Sequence, residues 1–141
     1  MRFLRRLAFP LLLAFASGHA LAANPVEAVT EGGSVAQRMV TLSLKQEVAD
    51  NDSRVLAADR QLKAAAQATG ETEMAVAAAC TRAARFIFDA TRSPATPLDV
   101  LDGLLAQRVR APMSDAIGRY VEARRNAAGK THAEAVAALK R

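Results

Sequence analysis

The chain has no tryptophan, one tyrosine and one cysteine in 141 residues, and each scarcity removes a class of function. A disulfide scaffold needs an even set of thiols, so the lone Cys80 leaves a domain that must stand on its hydrophobic core. Cys80 closes the apolar run Ala77-Ala78-Ala79-Cys80. That setting points to a buried free thiol packing as a small hydrophobe, with no disulfide. Saccharide clefts lean on aromatic stacking platforms, and six aromatic residues in the whole chain leave little to build one from. No apolar run approaches the ~20 residues that a membrane-crossing helix requires.

What is present begins with an address. Arg2, Arg5 and Arg6 form a positive start, Leu7 to Phe15 a short apolar stretch broken only by Pro10, and Ala20-Leu21-Ala22 a small-residue cleavage site. Residues 1–22 therefore read as a secretory signal peptide, with residues 23–33 as a flexible leader and 34–141 as one helical domain. Position 23 is alanine, so the cysteine of a lipoprotein site is missing, and the flanks of Arg5-Arg6 do not extend a twin-arginine pattern. The expected location is the periplasm or the exterior, with no transmembrane segment after cleavage.

Cleavage would change the chemistry of the remainder. Three arginines, His19, and the phenylalanines Phe3, Phe9 and Phe15 leave with the peptide, so the net charge falls from +5 to +2. His132 becomes the sole imidazole, and a multi-ligand zinc site within one chain is out of reach. A nearly neutral, aromatic-poor domain also gives no footing for nucleic-acid binding. The charge is uneven nonetheless: residues 23–102 hold 8 basic and 11 acidic side chains, whereas 103–141 hold 8 and 3.

The periodicity is helical throughout and predicts an all-α bundle of four to six helices. Ser34 is a plausible N-cap, and Leu44, Val48, Val55, Ala58, Leu62 and Ala65 recur at helical spacing, as one long helix or two divided near Asp50-Asn51-Asp52-Ser53. Gly70 marks a stop, and Glu71, Thr72 and Glu73 open a helix to about Ala90. Its stripe of Val76, Cys80, Ala83 and Ile87, widened by Phe86 and Phe88 as core residues, makes it the expected centre of the bundle. Thr96, Pro97 and Asp99 start a short helix to about Val109. Another is expected from Pro112 or Ser114 to Ala128, stopped by Gly129, and a last one over His132 to Lys140 behind the Thr131 and Glu134 capping box.

Few constellations suggest catalysis. Gly129-Lys130-Thr131 resembles the end of a phosphate loop, but position 124 is arginine where that loop needs glycine. Gly32-Gly33-Ser34 lacks the closing glycine of a nucleophile elbow, since position 36 is alanine. The carboxylate pairs Glu71 with Glu73 and Asp99 with Asp102 could serve a small cell-wall hydrolase, though first-turn charge explains both. His132 is expected as a solvated residue at a helix start. No cofactor and no metal ligand set are implied.

The best binding candidate is the basic series Arg108, Arg110, Arg119, Arg124 and Arg125 with Tyr120 among them. Clustered guanidinium groups make bidentate contacts with carboxylates and phosphates, which suits an acidic protein or an anionic envelope component. The expectation is an exported helical protein that binds another macromolecule, in the manner of a secretion-system accessory, an envelope chaperone or an inhibitor or immunity protein. The rival is the hydrolase with a carboxylate pair.

Overall fold

The structure is a computed structural model and describes residues 32–108, 110–126 and 130–141. The expected signal peptide at 1–22 lies outside the described residues, as do the leader short of Gly32 and the expected stop at Gly129. Among the described residues there are six helices and no strand: α1 Val35–Leu44, α2 Ser53–Thr69, α3 Glu73–Thr91, α4 Pro97–Ala106, α5 Met113–Arg125 and α6 His132–Leu139. The all-α bundle expected from periodicity is the fold found. No described helix is long and apolar enough to cross a membrane.

Short polar side chains set the helix starts. Ser34, Thr72, Thr96 and Thr131 each accept a first-turn amide, and Asp99 and Glu134 complete capping boxes at α4 and α6. The stretch from Val35 to Thr69 is two helices. Lys45 takes the left-handed conformation at φ 57° and ends α1, and Asp52 accepts the Arg54 amide to open α2. The connection is tied back to α1 by Gln37 Nε2 donating to the Val48 carbonyl at 2.7 Å and Ser34 Oγ donating to Asp50 Oδ1 at 2.8 Å. Gly70, at φ 73°, ends α2 as its position suggested. α4 and α5 stop at Ala106 and Arg125, each about three residues short of the sequence expectation.

The centre of the bundle is α4, which packs against all five other helices, and not the alanine-rich α3. Val100, Leu101, Gly103 and Leu104 are buried within a ten-residue helix. Full burial of each such Val or Leu contributes about 1.5–3 kcal/mol, so few elements of this length hold more core. Its start is also fixed from a distance: Ser43 Oγ in α1 accepts the Leu98 amide at 3.2 Å while donating to the Met39 carbonyl. One of the four orphan amides of α4 is satisfied in that way.

α3 supplies seven buried residues, Val76, Ala77, Ala79, Cys80, Ala83, Ala84 and Ile87. Phe86 and Phe88, expected in the core, are 52% and 46% exposed. Successive helical residues turn by about 100°, so Phe86, Ile87 and Phe88 cannot share one face. Ile87 takes the core and the two rings fall on opposite margins of it.

Candidate functional site

Two features stand out above the packing: a buried polar chain across the C-terminal helices, and an open apolar groove. The polar chain starts at Arg124, which is buried although it is the next-to-last residue of α5. Its Nη2 donates to the Pro94 carbonyl at 2.7 Å and to the Lys130 carbonyl at 3.3 Å, and its Nη1 donates to the Tyr120 hydroxyl at 3.2 Å. Tyr120 Oη stands 2.8 Å from His132 Nδ1, and His132 Nε2 stands 2.8 Å from Asp102 Oδ2.

A guanidinium only donates, so the Tyr120 oxygen accepts from Arg124. The two nitrogens of the His132 ring bridge the Tyr120 hydroxyl and the Asp102 carboxylate. Arg124 Nε is left buried without a partner. Five segments are joined: α4 through Asp102, α5 through Tyr120 and Arg124, α6 through His132, the α3–α4 connection through Pro94 and the α5–α6 connection through Lys130.

A carboxylate, an imidazole and a hydroxyl in series have the form of a nucleophile with its base and orienting group. The environment denies that use. Tyr120 is fully buried, and burial pushes its phenol above the ordinary range, more than the Arg124 hydrogen bond lowers it. The ring also lies edge-on to His132, with centroids 5.8 Å apart, and packs so closely on α4 that a Cβ at Gly103 would overlap it. The chain is a structural tie, and His132 is not the solvated residue expected of a helix start.

The basic series is accordingly dispersed. Tyr120 and Arg124 are inside, whereas Arg108, Arg110, Arg119 and Arg125 are exposed. Arg119 and Arg125 are six positions apart on α5, which separates them by about 120° around the helix. Arg125 lies 3.8 Å from Glu122. The fold groups Arg108 instead with Lys140 and Arg141, which line one hollow with it.

The carboxylate pairs do not converge on a cleft. Asp99 accepts the Thr96 amide in a capping box, Asp102 holds His132, and Glu71 lies exposed before α3. Among the described residues no three His, Cys, Asp or Glu side chains gather to hold a metal ion. Cys80 is buried, and desolvation pushes its thiol up to about 12.

The groove runs between α3 and α5 with a volume of about 470 Å³. Ala79, Ala83 and Phe86 form one side, and Ile117, Gly118 and Val121 the other. Gly118 borders open space, since nothing lies within 4 Å of a Cβ built on it. Arg82, exposed on α3, stands at the edge of the groove. Nothing in the sequence marks this groove while Phe86 reads as a core residue. The glycine at position 118, inside a helix and beside the apolar Ile117 and Val121, is the one local signal of it.

Comparison with family models, with curated proteins and with solved structures returns no match to the chain.

Proposed function

We propose that the protein is exported and acts by binding another protein through the α3–α5 groove. The observation that carries this reading is the groove itself, a row of apolar side chains with Phe86 half exposed above it. An exposed large aromatic beside a hollow lined by small residues is the arrangement that accepts an apolar anchor from a partner. Arg82 at the edge favours a partner segment with acidic residues flanking its apolar row. The signal-like residues 1–22 support export to a compartment where such accessory, chaperone or inhibitor proteins work.

The open space at position 118 supplies a clean test. Gly118→Glu places a long charged side chain in the groove at a site where its Cβ meets nothing, so the fold is retained while the groove is blocked. Protein produced from the full chain is used to capture partners from periplasmic extract, beside Gly118→Glu and Arg119→Glu, the latter altering the opposite side of α5. The expected result is one partner retained by the native protein and by Arg119→Glu but lost by Gly118→Glu. Equal retention by all three, or recovery of the native protein alone, removes the reading. N-terminal sequencing of the recovered protein tests export separately, with Ala23 expected as the first residue.

A further inference from the structure

The hollow beside the C-terminal ends of α4 and α6 lies apart from both the groove and the buried polar chain. Its volume is about 330 Å³, and it is lined by Arg108, Lys140 and Arg141 with Ala106 and Leu139 between them. Among the described residues that line it, Arg108, Lys140 and Arg141 are cationic and no side chain is acidic. Among the described residues, the ion pairs involve Asp52, Asp59, Asp89, Asp102 and Glu122, and none of these reaches the three cations. No hydrogen bond to a described side chain or carbonyl engages them either.

Three like charges brought to one concave surface repel one another. The carbonyl ends of α4 and α6 offset some of that repulsion with their partial negative charge. A helix dipole asks only for a cation near its own last turn, however. It gives no reason for Arg108, beyond the end of α4, to share a hollow with residues 140 and 141.

We propose that this hollow binds a phosphate group, carried by a small anion or by a lipid headgroup. Arg108 and Arg141 offer planar forks that match phosphate oxygens two at a time, and Lys140 adds a compact charge with three donors. Ala106 and Leu139 furnish an apolar wall for whatever the phosphate is attached to. A multiply charged phosphate suits three cations better than a single carboxylate, which would leave most of the repulsion in place.

The test uses protein produced from the full chain, with any affinity tag kept away from the C-terminus. Pyrophosphate is titrated calorimetrically, and in parallel the protein is sedimented with phosphatidylglycerol vesicles and with phosphatidylcholine vesicles. The double variant Arg108→Ser, Lys140→Ser is compared with Arg60→Ser, Arg119→Ser, which removes the same charge from exposed positions elsewhere. Loss of charge-assisted contacts is expected to weaken binding by about tenfold or more in the first variant alone. Pyrophosphate binding with that pattern identifies the small-anion form. Binding to phosphatidylglycerol only, with that pattern, identifies the headgroup form. The proposal is overturned if neither probe binds, or if both variants weaken binding equally, which is the signature of net charge without a site. Melting curves for both variants separate a lost site from a lost fold.

Discussion

The hydroxyl of Tyr120 is the joint of the polar chain, and replacing it isolates what that chain contributes. In Tyr120→Phe the ring keeps its packing against Gly103, so the apolar part of the core is conserved and only the two hydrogen bonds are lost. Arg124 Nη1 loses its tyrosine partner inside the protein, and a buried charged donor left in that state costs about 1–3 kcal/mol. His132 Nδ1 loses its tyrosine partner as well, but the imidazole is 29% exposed and water can replace part of that bond. The expected destabilisation is about 2–3 kcal/mol, the upper part of the range being set by Arg124. In a domain of this size that lowers Tm by roughly 10 °C.

Urea unfolding followed by far-ultraviolet circular dichroism is the appropriate assay, because the chain has no tryptophan and the substitution removes its one tyrosine. The midpoint is expected to fall with the denaturant slope unchanged. A double-mutant cycle with His132→Ala should give a coupling of about 0.5 kcal/mol or more, since the two side chains touch. A loss under about 0.5 kcal/mol, or zero coupling, would refute the account of Arg124 and His132 as partners of one buried hydroxyl.

Three further outcomes follow from single positions. Gly103→Ala and Gly118→Ala should move stability in opposite directions: alanine is the better helix residue by about 0.5–1 kcal/mol at the open position 118, whereas at 103 its Cβ meets the Tyr120 ring and costs about 1–3 kcal/mol. Thermal melts of the pair check this, and two shifts of the same sign contradict it. Cys80, buried and with its thiol pushed up to about 12, should react with a thiol reagent at pH 8 only after denaturation; rapid labelling of native protein would show an open path to α3. The side-chain hydrogen bond from Arg54 lowers the Asp52 carboxyl from 3.8 to about 2. A depressed folded value supports folding above the ordinary value, and that support drains away as pH falls from about 4 toward 2. Carbon-13 titration of the Asp52 carboxyl reads the midpoint directly, and a value near 4 would mean that the Asp52–Arg54 pair does not persist in solution.

Most of the helical grammar was legible because it is written in local rules. The N-cap at Thr96, the capping box at Thr131, the stop at Gly70 and the break within Asp50-Asn51-Asp52-Ser53 all act within a few residues, and the structure has each of them. What was not legible depends on pairs far apart in the chain. His132 reads locally as a residue at an exposed helix start, and only the arrival of Asp102, thirty positions earlier, makes it a bridge. Arg124 reads as one more surface arginine until Pro94 and Tyr120 are brought to it. The same limit explains Phe86 and Phe88. Composition shows that α3 is apolar most of the way round, but which faces are covered depends on where α5 lies.

The position of α4 within the chain has a consequence for the order of assembly. The helix that touches every other begins at Pro97, past the first three helices. Ala58, Leu62, Val76 and Ile87 therefore have no complete core to enter until that helix is available. Nascent chains ending near Ser93 should therefore remain open to protease, and those extending past Arg125 should become resistant, so that α4 sets the moment in synthesis at which the domain can close.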